Sequence, residues 1–377
     1  MSVLRLLAIA SAACLLISCA GRSTSRATTD SEHSLSATKL TLTLAHRIPL
    51  PDVGSAVDVS GIPGRVEHMA YDPETHRLFI AWIANGSLEV VDLETGEHVQ
   101  SIGGLARPEG VAVNSDAGIV IVACAGDGTV HGYDTQTLVQ QASASGGESA
   151  GDVRLDRMGN AYVAFGGEQS AGGLLEFDAR TLDLKRTMVL PLRPESFQVN
   201  PDATCLFANQ PGPRRAVGDG AVAAIDAATG TVTALWRLHG IARNFAMVYE
   251  PTRHRVYIAG RLPPVLAEVD DRTGSVRAQA PCAPDCHDMF LDAAHHRIIL
   301  IGGGTRSDED GEPGEGAGAA VQVFSIAPSD GLTLAASIPT APHARTGLFV
   351  PERSAVYVAV PPGADTPAEI REYTIGE

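Results

Sequence analysis

The chain has 377 residues, of which 44% are hydrophobic and 19% are charged, so it carries enough apolar sequence for a large folded core. Its 28 Lys and Arg residues stand against 44 Asp and Glu residues, which gives a formal net charge of −16. This acidic balance argues against nucleic-acid binding, which depends on neutralising phosphates with basic side chains, and against a basic membrane-binding patch.

The N-terminus has the pattern of a bacterial export signal. Arg5 precedes an apolar stretch over residues 6–17 that is too short for an ordinary transmembrane helix. The stretch runs into Leu16-Ile17-Ser18-Cys19, which resembles a lipobox with Cys19 as the lipidated residue. We predict a lipoprotein signal peptide over residues 1–18, with a plain secretory signal as the alternative. Ala20 after the cysteine favours outer-membrane sorting in a Gram-negative bacterium.

The segment after the signal lacks apolar periodicity. Residues 21–38 are rich in Ser, Thr and Arg, a composition typical of a flexible linker. We therefore assign residues 19–39 to the lipidated cysteine and a tether, and residues 40–377 to a single folded domain. In this scheme the protein reaches the membrane only through its lipid anchor.

A short apolar β-run recurs seven times in the rest of the chain. Self-similarity with a period in the forties is typical of β-propellers, and seven copies predict seven blades. The copies lie at residues 77–82, 118–124, 160–165, 203–209, 255–260, 297–302 and 355–360.

Residues 66–104 show what one repeat contains. The pairs Asp72-Pro73 and Asn85-Gly86 are typical of tight turns, and they separate apolar runs at residues 66–71, 77–83 and 88–92. A further turn at Glu94-Thr95-Gly96 leads into residues 97–102. Four antiparallel strands in about forty residues are typical of one propeller blade.

The last repeat is incomplete. Its sequence stops at a third strand over residues 369–373, while residues 40–45 form an apolar strand with no repeat of their own. Pairing these two segments would close the ring and remove an exposed sheet edge. The sequence therefore predicts an all-β, seven-bladed propeller of four-stranded antiparallel blades, closed by its N-terminal strand and monomeric.

The second strands and the Asp-x-x-Thr-Gly turns that follow the third strands, as at residues 92–96, carry a family resemblance. Together they resemble the YVTN/YncE-like family of exported bacterial β-propellers over about residues 40–377. The resemblance implies the fold and an exported protein. It implies no particular activity.

Each predicted innermost strand begins with polar residues, and these should converge at the mouth of the central channel. The carboxylates could bind a divalent cation such as Ca²⁺ or Mg²⁺, or act as acid and base with the histidines. The arginines suit a ligand carboxylate or phosphate. In the alternative interpretation these groups bond to one another and fix the blades. The candidates are Glu67, His68, Glu109, Asp152, Glu195, Arg243, Asn244, His287, Asp288 and Arg345.

Three extended loops, at residues 166–173, 210–218 and 302–316, are expected on the same face of the ring as the mouth of the channel.

Cys282 and Cys286 lie four positions apart in a loop, and His287 directly follows Cys286. In an exported protein this spacing favours a local disulfide. Reduced thiols and a rare variant of the haem-attachment motif are the alternatives.

The leading functional hypothesis is a lipid-anchored propeller that binds a small molecule or an envelope protein through the polar mouth of its channel. A metal-assisted lyase or lactonase-type hydrolase using the same residues is the first alternative, and a structural envelope module is the second. No catalytic residue is assigned from the sequence.

Overall fold

The computed structural model describes residues 40–376 apart from 52, 54–63, 168–170, 201, 212–218, 306–317 and 364–365. The described residues belong to one compact unit, Lys39–Glu377. The predicted signal peptide, Cys19 and the tether lie outside them, as do parts of the three extended loops.

The described residues form seven four-stranded antiparallel sheets, which confirms the predicted fold. Strand β1 (Thr41–Leu50) comes first in the chain but belongs to the last sheet. Blade 1 holds β2 (Met69–Asp72), β3 (Arg77–Trp82), β4 (Ser87–Asp92) and β5 (Glu97–Gly103). Blade 2 holds β6 (Pro108–Asn114), β7 (Ile119–Cys124), β8 (Thr129–Asp134) and β9 (Gln140–Ser145). Blade 3 holds β10 (Val153–Leu155), β11 (Asn160–Phe165), β12 (Gly172–Asp178) and β13 (Leu184–Leu190).

The remaining blades repeat this arrangement. Blade 4 holds β14 (Phe197–Val199), β15 (Cys205–Gln210), β16 (Gly220–Asp226) and β17 (Thr231–Leu238). Blade 5 holds β18 (Met247–Glu250), β19 (Arg255–Arg261), β20 (Pro264–Asp270) and β21 (Val276–Pro281). Blade 6 holds β22 (Cys286–Asp292), β23 (Arg297–Gly302), β24 (Ala320–Ile326) and β25 (Leu332–Pro339). Blade 7 holds β26 (Thr346–Val350), β27 (Ala355–Val360), β28 (Ala368–Gly376) and β1.

Short 3₁₀ turns join some of the strands within blades. They lie at Ile83–Asn85, Ser115–Ala117, Pro251–Arg253, Ala293–His295 and Pro351–Arg353. Across the part of the chain that the structure describes, no helix is both long enough and apolar enough to span a bilayer.

The N-terminal strand closes the ring as the sequence predicts. Strand β1 pairs antiparallel with β28, from Thr41 opposite Gly376 to Leu50 opposite Ala368. The pairing extends five residues beyond the predicted end at Ala45 and crosses a bulge between Leu44 and His46. Blade 7 thus combines strands from both ends of the domain.

The hydrophobic core lies between neighbouring blades. The second strands are buried on both faces, and β7 is buried at all 6 of its residues. Phe79 of blade 1 packs in one cluster with Val120 of blade 2, and further clusters join the other blades. This packing leaves the innermost strand of each blade at a free sheet edge facing the channel.

The third strands of blades 1 to 5 end in an aspartate that organises the next turn. Asp134, for example, accepts hydrogen bonds from the backbone N–H groups of Gln136 and Thr137 at 3.1 and 2.7 Å. Hydrogen bonds to the ionised carboxylate hold its pKa below the usual range, and the same direction is found for the other four. These are Asp92, Asp178, Asp226 and Asp270.

Loss of these charges should destabilise the fold in acid. Because folding lowers the five pKa values, the folded state binds fewer protons, so the free energy of unfolding falls as the pH drops below about 4. Asp134→Asn keeps an acceptor for the turn but removes the charge, and should reduce the slope of that fall. The exposed Asp116 provides the control substitution. Chemical denaturation at a series of pH values measures the slope, and equal slopes for both variants would contradict the prediction.

The closing strand should also contribute a large share of the stability. Leu50 is wholly buried against blades 1 and 7, so Leu50→Ala should lower the free energy of unfolding by about 2–5 kcal/mol. Thr43→Ala, at an exposed position of the same strand, should change it little. Urea denaturation compares them, and equal effects would show that β1 is not part of the cooperative fold.

Candidate functional site

Five predicted site residues meet around the axis of the ring. His287 Nε2 lies 2.6 Å from Glu67 Oε2, and Arg345 Nη2 lies 3.2 Å from Glu67 Oε1. Asp288 Oδ1 lies 3.3 Å from His68 Nδ1 and 3.4 Å from His287 Nδ1. None of the five is more than 7% exposed, so they form a buried polar group and not an open funnel. We call them the axial cluster: Glu67, His68, His287, Asp288 and Arg345.

Three consecutive blades supply the axial cluster. Glu67 and His68 directly precede β2 of blade 1, and Arg345 directly precedes β26 of blade 7. His287 and Asp288 lie in β22 of blade 6, where the pairing with β23 is interrupted by a bulge. Adjacent side chains of a regular strand point to opposite faces, and a bulge relaxes this alternation. The bulge accounts for two neighbouring residues contacting the same cluster.

Asp288 lies close to both imidazole rings. Its Oδ2 accepts a hydrogen bond from the backbone N–H of Gly347 at 2.9 Å, while its Oδ1 contacts the two histidines. Burial disfavours the charged carboxylate, but the interactions with His287 and His68 outweigh it and hold the pKa of Asp288 below its usual range. Asp288 is therefore an anion that lies beside the Nδ1 atoms of both rings.

Glu67 also carries its charge in the buried cluster. Arg65 Nε lies 2.5 Å from its Oε1, the same oxygen that Arg345 contacts. Burial raises the pKa of Glu67, but Arg65, His287 and Arg345 together hold it well below the usual range. Paired charges of this kind cost far less to bury than isolated ones.

His68 is charged at neutral pH in this arrangement. Burial lowers its pKa, but the hydrogen bond with Asp288 and the charges of Asp152 and Asp288 raise it to about 9. Asp152 Oδ1 lies 3.9 Å from His68 Nε2 and 2.8 Å from Arg154 Nη1. Asp152 therefore extends the network from blade 1 to blade 3.

Two further candidates form a neighbouring group in blades 2 to 4. Arg107 lies 2.9 Å from Glu109, while Arg193 lies 3.7 Å from Glu109 and 3.5 Å from Glu195. Burial and the nearby charge of Glu67 raise the pKa of Glu109 in spite of these arginines. The carboxylates here are matched by arginines, as the structural interpretation expects.

The last two candidates lie apart from the axial cluster. Asn244 is fully buried and donates hydrogen bonds to Asn209 Oδ1 at 2.6 Å and to the carbonyl of Ala221 at 3.0 Å, so it joins blade 5 to blade 4. Arg243 is partly buried and has left-handed backbone with a φ of 54°. Such strain also occurs at Arg107 and Asp285, in the equivalent loops.

Sequence reasoning missed the arginines that accompany the acidic residues. Arg65, Arg107 and Arg193 each stand two positions before a glutamate, and this repeated Arg-x-Glu pattern could have identified them. It also did not predict the ion pairs of Asp285, which lies 3.2 Å from both Arg345 and Arg261. No repeat marks Asp285 in the sequence.

A cavity of about 310 Å³ follows the innermost strands along the channel. His68, Asp288 and Gly347 line it where these strands begin, and Leu291 and Pro351 line it where they end. Between these two ends, both polar and apolar side chains line the cavity. They include Met69, Arg154, Gln198, Val248, Tyr249, Met289, Phe290, Leu348 and Phe349.

The disulfide expected between Cys282 and Cys286 is not formed, and both residues are free thiols. Cys286 is fully buried in β22 and packs in the hydrophobic cluster between blades 5 and 6, and Cys282 packs against that cluster. Burial raises the pKa of the Cys282 thiol to about 12 and that of Cys286 well above its usual value. Both therefore act as small apolar residues.

The comparisons with known proteins support the fold alone. No family model matches the chain, and no curated protein matches it. A solved structure of hydrazine synthase from Kuenenia stuttgartiensis aligns with a TM-score of 0.65 at 17% identity, covering 78% of this chain and 92% of that one. A chain of a mitotic checkpoint complex aligns with a TM-score of 0.70 at 12% identity, covering 96% and 99%. At such identities the similarity establishes a β-propeller and no shared function.

The role of Asp288 can be tested by titration. Asp288→Asn removes the hydrogen bond that most raises the pKa of His68, so this pKa should fall from about 9 towards the ordinary histidine value. NMR of the imidazole protons in chelator-treated protein measures it. Asp292→Asn, at the far end of β22, is the matched control. An unchanged His68 pKa in the Asp288 variant would contradict the assigned contact.

Proposed function

We propose that this protein binds a small molecule with an anionic group inside its central channel. The observation that carries the proposal is the 310 Å³ cavity on the axis, into which the Arg154 side chain extends. Its volume is at the lower end of the range of ordinary ligand pockets, which is about 300–1,000 Å³. The expected ligand is therefore a small metabolite and not a polymer.

Arg154 supplies the recognition of charge. Its Nη1 contacts Asp152 and the carbonyl of Val153, which leaves Nε and Nη2 without a partner among the described residues. Its side chain is 31% exposed, and it lines the cavity. A guanidinium with two open donors matches a carboxylate or a phosphate.

The other walls favour a ligand that also has an apolar part. Met69, Val248, Met289, Leu348 and Phe349 line the cavity from four different blades. Because apolar surface in a preformed cavity gains from leaving water, a hydrocarbon portion of the ligand would pack there. The combination suits a small organic acid or phosphate ester better than an inorganic ion.

A metal-assisted lyase or hydrolase is the second candidate function. The proximity of Glu67 to His68 and His287 favours it, because a carboxylate and imidazoles can together bind a metal ion and transfer a proton. The pairing of Glu67 with two arginines favours binding without catalysis. A purely structural envelope module is supported by the same ion pairs but leaves the cavity unexplained.

Ligand binding can be tested with a panel of small carboxylates and phosphate esters. A shift of the melting temperature should identify a binder, and calorimetry should give its affinity. Arg154→Met should weaken that affinity at least tenfold, about the 1.4 kcal/mol expected for loss of a charged hydrogen bond. Arg157→Met makes the same change at an exposed position of blade 3 and should have no effect. No binder in the panel, or equal affinities for both variants, would contradict the proposal.

We further propose that the protein is exported, belongs to the YVTN/YncE-like propellers and is anchored by a lipid on Cys19. The lipobox-like residues 16–19 and the linker composition of residues 21–38 support this location. Cys19→Ala should leave the chain unprocessed or released from the membrane fraction, as seen by fractionation and labelling with a fatty acid. Unchanged membrane association and no label on the unaltered protein would contradict it.

A further inference from the structure

We infer that Glu67, His68 and His287 form a binding site for one divalent transition-metal ion. One ligand atom of each residue lies within 4.8 Å of the others, and all three residues are buried. An ion bound by all three would draw these atoms to bonding distances, which are about 2.0–2.2 Å for nitrogen and carboxylate ligands of zinc.

The donor atoms select the class of ion. Two imidazoles and one carboxylate are the ligands of several catalytic zinc sites, which keep a fourth position open. Ca²⁺ and Mg²⁺ prefer sets made almost wholly of oxygen atoms. Among the described residues, the three ligand atoms that lie within 4.8 Å of one another are one carboxylate oxygen and two imidazole nitrogens, so the preference predicted from the acidic residues, Ca²⁺ or Mg²⁺, changes to Zn²⁺ or a similar ion.

Asp288 provides the support that such a site requires. Its Oδ1 contacts the Nδ1 atoms of both His68 and His287, at 3.3 and 3.4 Å. A carboxylate at one nitrogen of a metal-binding imidazole fixes the ring and directs the other nitrogen to the ion. We therefore assign Asp288 as a positioning residue, and His287 Nε2, which lies 2.6 Å from Glu67 Oε2, as one of the ligand atoms.

The existing ion pairs leave one oxygen for the ion. Arg65 and Arg345 both contact Oε1 of Glu67, whereas Oε2 faces only His287 Nε2 among the described residues. An ion bound through Oε2 would replace that one contact and leave both arginines in place. Any proton on an imidazole ligand leaves when the ion binds, as at metal sites in general.

Metal binding at this site does not require the proposed organic ligand. His68 lines the cavity, so the ion would lie at the polar end of the cavity, but its binding needs no occupant there. Metal binding is therefore measured without organic ligand, and ligand binding is measured in the presence of a chelator. Arg154→Met should retain the metal, which separates failure of one proposal from failure of the other.

The experiment uses the mature chain, stripped with a chelator and titrated with Zn²⁺ in a calorimeter. One ion per chain is expected, with a rise in melting temperature. Co²⁺ in place of Zn²⁺ should give the visible absorption of a low-symmetry site with nitrogen and oxygen ligands. His287→Ala should abolish binding, and Asp288→Asn should weaken it about 10–100-fold. His239→Ala, at an exposed histidine, should bind like the unaltered protein.

Glu67→Gln keeps the shape of the side chain and serves if the alanine variant fails to fold. It should lower the affinity for Zn²⁺ at least tenfold while circular dichroism shows an intact fold. Absence of Zn²⁺ binding at micromolar concentrations would overturn the inference. So would equal binding by the folded Glu67 and Asp288 variants and the unaltered protein.

Discussion

Buried charge at the axis is the constraint on which the arrangement of the blades depends. Glu67 and Asp288 are almost excluded from water, and an unpaired carboxylate there would cost several kcal/mol. Their partners come from other blades: Glu67 of blade 1 contacts His287 of blade 6 and Arg345 of blade 7. A displacement of blade 1, 6 or 7 would leave charges unpaired, so these contacts fix the relative positions of the three blades around the channel.

The same network meets the cavity at one end of the channel. Most acidic groups of the ring are already paired with arginines. These opposite charges largely neutralise each other. Arg154 differs, because it contacts Asp152 of the network and also lines the cavity. His68 also belongs to the polar network and lines the cavity. At this end of the channel, a bound molecule or ion would therefore contact groups that are held in place by their neighbours.

The sequence predicted the features that repeat. The seven apolar runs, the turn aspartates and the missing strand of blade 7 determined the fold, because each follows from local pattern or from the need to cover an edge. The partners within the site could not be predicted in this way. His287 and Glu67 are 220 positions apart, and Arg345 and Glu67 are 278 apart, so their contacts arise only from closure of the ring. The free state of Cys282 and Cys286 depends on core packing between blades, which their spacing does not reveal.

Native mass spectrometry of the protein, purified under mild conditions without added ligand, tests binding within the channel most directly. We expect the folded chain to carry a small anionic molecule that is released on denaturation, and we expect the Arg154→Met protein to lack it. The contradicting result is an unchanged mass before and after mild removal of small molecules. It would be seen for both the unaltered and the Arg154→Met protein, even at saturating concentrations of candidate acids.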